Sequence, residues 1–201
     1  GTVRVLAHLE VDLTVGAGFV IEGQLERGSR GHAGNVGHVP LHPDGPRCGC
    51  GNLGCLEALA GLHRLAALAG ATAEEVAGGP KIPRDDLVTR IRTLATDGDA
   101  RTLEAFADVG HWLGVGCVNL LHTMNPDVIS LGGYPAELGE WLLPSVTRTV
   151  SRLAQFDYSD DCEITVSPDR TNIARGAASL VLSRLLLDPA AARATAAGPP
   201  P

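Results

Sequence analysis

Apolar residues fall in short blocks along this chain, and their spacing changes from strand-like to helix-like. VRVLAHLEV (3–11) and AGFVIEGQL (17–25) read as strands, and Glu22-Gly23 within the second suits a hairpin turn. Residues 26–54 hold many glycines and little periodicity, which predicts a long loop of the functional or metal-clipped kind. Helical spacing begins at Cys55 and runs to Ala69 in CLEALAGLHRLAALA. A polar connection, ATAEEVAGGPKIP, leads to a second helix near 84–96. ARTLEAFADVGHWLGVGCVNLLHT (100–123) predicts a long helix. Its second half is apolar on more than one face, so it is expected centrally, with apolar surface left for a partner.

Asn125-Pro126 stops that helix, because proline lacks the N–H and restricts the residue before it. DVISLGG (127–133) then reads as a short strand ending in a glycine pair. Asp127 reads as a cap or turn acid. A helix near 136–155, a strand at CEITVS and a last helix at TNIARGAASLVLSRLL complete an alternation of the α/β class. The tail 188–201, DPAAARATAAGPPP, is of low complexity and expected to be disordered. The chain opens on Gly1 and enters a strand at once, so it reads as an excerpt of a longer protein.

Composition narrows the function. The 201 residues are 44% hydrophobic, enough for a substantial core. A net charge of -7 with scattered basic residues argues against this chain gripping nucleic acid by itself. No apolar run reaches membrane-spanning length and no signal peptide is visible, which predicts a cytoplasmic protein. The 5 cysteines point to a reducing compartment. Cys117 reads as a buried small hydrophobe and Cys162 as part of the last strand.

The other three cysteines, Cys48, Cys50 and Cys55, cluster in RCGCGNLGCLE. Thiolates in a glycine-rich loop suit tetrahedral zinc, because glycine lets the backbone turn several sulfurs toward one ion. His38 would complete a Cys3His set, with His42 and His32 as substitutes. Unligated thiols or a disulfide are the alternatives. A closed four-ligand site is structural and does not activate water.

GHAGNVGHVPLHPDGPRCGCGNLGCLEALAG (31–61) resembles the signature of the ROK family, named for repressors, open reading frames and sugar kinases. VGAGFVIEGQLERG, NPDVISLGG and IARGAASL resemble further family segments, while the family's N-terminal half is absent from this chain. The resemblance implies an actin-like, ribonuclease H-like architecture, with residues 1–187 as most of the larger domain. It implies structural zinc on His38, Cys48, Cys50 and Cys55, and sugar binding by His38, Glu57 and position 35. That last position is Asn35 where the family usually has Glu, so the charge there is lost. Gly16 and Gly18 resemble the remnant of a phosphate loop, but Asp12, Leu13 and Thr14 replace its first Gly-Thr-Gly. Asp12 is expected to repel nucleotide phosphates. Gly132 and Gly133 correspond to the nucleotide side of family kinases and are expected to serve as scaffold.

The kinase motif Asp-x-Gly-x-Thr and the catalytic Asn-Asp pair do not occur here, so no catalytic residue is assigned. The leading expectation is the sugar-sensing effector part of a ROK-type transcriptional regulator. It would be a homodimer meeting DNA through a segment outside this chain. The alternatives are the C-terminal half of an ATP-dependent sugar kinase, or a zinc-stabilised domain with a decayed ligand site that serves assembly.

Overall fold

A computed structural model describes residues 3–72, 83–155, 161–167 and 172–187. Most of the polar connection before Arg84 and all of the tail 188–201 lie outside them. The chain divides into two units, Gly1–Ser167 and Pro168–Pro201.

The first unit is built on β1 (Val5–Val11), β2 (Val15–Ile21), β3 (Gln24–Glu26), β4 (Val128–Gly133) and β5 (Glu163–Val166). They form one mixed sheet in the order β3-β2-β1-β4-β5. β1 to β3 pair antiparallel, while β1–β4 and β4–β5 pair parallel. The helices are α1 (Leu56–Ala60), α2 (Leu62–Leu68), α3 (Arg84–Thr96), α4 (Ala100–Met124) and α5 (Pro135–Leu153). In the second unit, α6 (Asn172–Leu187) is described.

Period-two alternation decides which sheet face is covered. Ala7, Leu9 and Val11 of β1 and Ile129 and Leu131 of β4 join the core with α4 and α5. The intervening His8, Glu10 and Ser130 are only half-buried. The expected turn at Glu22-Gly23 divides the stretch 17–25 between β2 and β3, which pair as a hairpin. Glu22 and Gly23 both take positive φ, 49° and 77°, as a two-residue primed turn requires.

α4 is held at its start by Asp99, whose carboxylate accepts from the Thr102 N–H at 2.8 Å and its hydroxyl at 2.7 Å. It ends at Asn125 in the left-handed conformation. Gly110 and Gly114 let α5 approach closely, since a Cβ at Gly114 would stand 2.6 Å from the Thr149 Cβ. The apolar positions of α4 are therefore largely used inside the chain, while its Gly116 and Leu120 also line a cavity with Val36, Val39, Leu41 and Leu56. The predicted helix 55–69 is likewise divided, by Gly61 in an extended conformation. A Cβ there would lie 2.7 Å from the Glu57 carbonyl oxygen, and the Leu62 N–H donates to the Asp12 carbonyl at 2.9 Å.

Candidate functional site

The glycine-rich stretch is folded onto the edge of β2. The Ala17 N–H donates to the Gly34 carbonyl at 2.7 Å. Gly34 has φ +93°, and a Cβ on it would fall 1.8 Å from the Ala17 carbonyl oxygen. Only glycine fits this contact. It delivers Asn35 and then a short 3₁₀ turn, Val36–His38. Beyond, Leu41 donates to Gly54, Cys48 donates to Asn52 and Leu56 donates to Val39, so backbone hydrogen bonds fold the cysteine segment back on itself.

This folding gathers the predicted ligands. One donor atom from each of His38, Cys48, Cys50 and Cys55 lies within 4.8 Å of the others. Cys50 Sγ is 3.7 Å from Cys55 Sγ, and Cys48 Sγ is 3.6 Å from His38 Nδ1. A tetrahedral zinc with Zn–S near 2.3 Å and Zn–N near 2.0–2.1 Å spaces its donors roughly 3.5–3.8 Å apart. The donor set and its spacings thus fit such an ion. All 5 cysteines are free thiols, so the disulfide alternative is not realised. Burial, then hydrogen bonding to Cys50 and Cys48, pushes the Cys55 thiol up to about 12. Burial also raises Cys48, whereas the Asn52 backbone N–H lowers exposed Cys50. A divalent cation would oppose the upward shifts by stabilising thiolates. The substitutes for His38 lie elsewhere: His42 packs on Trp112 with ring centroids 5.3 Å apart, and His32 lines a cavity.

Glu57 lies in the first turn of α1, beside the cluster. One carboxylate oxygen accepts from the Val15 N–H at 3.0 Å, and the other is 3.7 Å from Cys48 Sγ. Glu57 therefore links the cysteine loop to the start of β2. Asn35 faces differently: it lines a cavity of about 480 Å³ with His8, Glu10, Gly16 and Gly18. His38 and Glu57 do not line that cavity. The strand parity of His8 and Glu10 was the available signal for them: two polar residues at i and i+2 share one sheet face.

The carboxyl end of β1 also departs from expectation. Asp12 is ion-paired to Arg84 at 2.6 Å, and Arg84 also donates to Asp85 and Glu137. Arg92 reaches the other oxygen of Glu137 at 3.1 Å. Burial alone would lower the Arg84 pKa, but hydrogen bonds to Asp12, Glu137 and Asp85 outweigh it and hold the pKa above its usual value. Asp12 is thus not the bare negative charge expected from its place in the sequence. Gly133 backs onto the Val11 carbonyl, and Tyr134 after it donates its hydroxyl to the Ala60 carbonyl at 2.8 Å. Asp127 accepts the Arg4 and Val5 N–H groups at 2.7 Å each, fastening β1 to the strand beside it.

A five-stranded mixed sheet with a Cys3His cluster folded onto its antiparallel edge defines the class of domain. Residues 3–184 match the ROK family, and the chain belongs to it. The putative xylose repressor of Caldicellulosiruptor sp. (strain Rt8B.4) is 30% identical over 195 residues, covering 94% of this chain and 49% of that protein. The DNA-binding transcriptional dual regulator NagC of Escherichia coli (strain K12) is 30% identical over 174 residues, covering 85% and 42%. A solved ROK family glucokinase from Streptomyces griseus, in complex with glucose and AMPPNP, aligns at a TM-score of 0.75 with 26% identity, over 90% of this chain and 61% of the kinase. The chain spans about half the length of the curated relatives it matches. The mixed sheet agrees with the actin-like fold of the sugar-kinase neighbours. No helix among the described residues is long and apolar enough to cross a membrane.

Proposed function

We propose that this chain is the sugar-sensing effector part of a ROK-type transcriptional regulator acting in the cytoplasm. His38, Cys48, Cys50 and Cys55 hold a structural zinc. His38 turns Nδ1 toward the cluster, so its Nε2 is the nitrogen for a sugar hydroxyl. Glu57 and Asn35 supply further hydrogen bonds. DNA is met through a segment outside residues 1–201, consistent with the acidic charge of this chain. Residues 1–187 act as the effector domain. The homodimer expected of the family uses surfaces other than the core-facing side of α4.

The observation that carries the regulator reading is the Asp12–Arg84–Glu137 network. In open α/β sheets, ligands bind beyond the carboxyl ends of the strands. Here that end of β1 is tied by side-chain ion pairs to the first turn of α5. Gly16 and Gly18 alone do not make a phosphate cradle, and Gly132 and Gly133 serve as scaffold. The test is thermal denaturation with xylose, glucose and N-acetylglucosamine, and separately with ATP and Mg²⁺. A rise in Tm with a sugar and none with ATP is expected. ATP-dependent sugar phosphorylation by the purified protein would instead establish the kinase reading, which the glucokinase likeness keeps as the alternative.

A further inference from the structure

The cysteines differ sharply in access. Cys48 and Cys55 are 4% and 0% exposed, and Cys117 and Cys162 are buried in the core, whereas Cys50 is exposed. Cys50 stands at the tip of a small backbone loop. The Arg47–Leu53 bridge closes that loop, Cys48 donates its N–H to the Asn52 carbonyl at 2.8 Å, and Gly51 donates to the Cys48 carbonyl at 3.0 Å. Glycines flank Cys50 on both sides, and a Cβ at Gly49 or Gly51 would meet nothing within 4 Å. The tip therefore has room to shift. Cys50 Sγ lies 3.7 Å from Cys55 Sγ. A disulfide needs about 2.05 Å, so the sulfurs must close by about 1.7 Å, a movement that the glycine-flanked tip can supply. Cys48 is engaged elsewhere, with its Sγ 3.6 Å from His38 Nδ1 and 3.7 Å from a Glu57 oxygen.

We propose that Cys50 is a site of oxidation by hydroperoxides, with Cys55 as its resolving thiol, and that the Cys50–Cys55 disulfide reversibly dismantles the metal cluster. The proposal goes beyond the sugar-sensing reading and rests on its structural-zinc part. The Cys50 sulfur attacks one peroxide oxygen. An S–O bond forms, the O–O bond breaks, and the departing oxygen takes up a proton to leave as water or an alcohol. Cys50 gives two electrons to the peroxide and becomes a sulfenic acid. The Cys55 sulfur then attacks Cys50 Sγ. The S–S bond forms, the S–O bond breaks, and the hydroxide takes up a proton to leave as water. A dithiol reductant reverses the change by thiol–disulfide exchange and is itself left as a disulfide. The bridge consumes two of the four donors, and His38 with Cys48 cannot close a tetrahedral site. Cys55 stands directly before α1, and Glu57 lies in the first turn of that helix. Oxidation therefore reaches both His38 and Glu57, the residues assigned to the sugar.

The test uses the reduced protein, with its zinc content measured first. Hydrogen peroxide is added with a chromogenic zinc chelator present, and the thiols are then mapped by alkylation and peptide mass spectrometry. Release of about one zinc per chain is expected with peroxide and not without it. The Cys50 and Cys55 thiols should be lost together, joined in one cross-linked peptide, while Cys117 and Cys162 stay reduced. Dithiothreitol with added zinc should restore the bound metal and, for any sugar that raises Tm, the Tm shift lost on oxidation. Cys55→Ser removes a ligand as well as the resolving thiol, so its readout is chemical. Dimedone, which traps sulfenic acids, should label Cys50 in that variant and label the wild type far less. Zinc retained with all thiols intact, Cys50 oxidised without a partner, or a bridge from Cys50 to Cys48 would each overturn this proposal alone. A wild type that purifies without zinc would overturn the structural-zinc reading together with the release built on it.

Discussion

At Gly34 a single missing side chain decides whether the ligand loop can seat on the sheet. Its φ of +93° and the 1.8 Å approach of a hypothetical Cβ to the Ala17 carbonyl act together. Gly34→Ala should therefore cost about 2–4 kcal/mol and displace Asn35. Denaturant unfolding with sugar titration checks it, and an unperturbed midpoint would refute the contact. Asp127 is decisive in another way. The Val5 and Arg4 N–H groups, in that order, lower its pKa from 3.8 against a small opposing effect of burial. A carboxylate whose folded pKa is depressed contributes stability above its unfolded pKa and loses it as pH falls through the folded value. Asp127→Asn should thus unfold more easily than wild type at pH 7. The gap should close on acidification from about pH 4 downward, followed by melting curves across that window. A gap that persists at pH 2 would contradict this account.

At the scale of elements, the glycine-rich loop is joined by scattered backbone hydrogen bonds rather than by a regular helix or ladder, and the proposed zinc would tie its four ligands together. Chelating the metal, or Cys50→Ser, should release the segment 38–57 while the sheet with α4 and α5 persists. Limited proteolysis should find new cleavage there, with metal analysis showing loss of bound zinc. Resistance to protease after complete demetallation would show that the backbone pairing alone suffices. The elements were legible where periodicity is strong: α4, the hairpin turn at Glu22-Gly23 and the stop at Asn125-Pro126 follow from local chemistry. So did the cluster, since His-x9-Cys-x-Cys-x4-Cys is a chemical pattern needing no long-range information. The break at Gly61 was not legible, because the continuous helical spacing of 55–69 hides a tertiary contact to the Asp12 carbonyl. The pairing of Glu10 with Gly16 was equally hidden, because it depends on strand register. Asp12 misled for the same reason: its partner Arg84 lies 72 residues away in sequence.

That distant pairing matters for the whole molecule. Arg84 joins the turn after β1 to α5, and its partner Glu137 is only 6% exposed. Arg84→Ala should destabilise the domain by about 1–3 kcal/mol, less than a fully buried pair because Arg92 still reaches Glu137. The functional consequence runs against simple crevice opening. Removing the guanidinium widens the space at the carboxyl end of β1 and also uncovers Asp12. An uncovered carboxylate repels phosphate, so the variant should bind ATP no better than wild type despite the added room. Arg84→Ala combined with Asp12→Gly removes the plug and the repulsion together. If the ion pair alone keeps nucleotide out, this double variant should gain an ATP-dependent rise in Tm that neither single variant shows. No response in the double variant would place the block in the rest of the turn, Leu13 and Thr14, whose side chains keep a phosphate from the backbone amides.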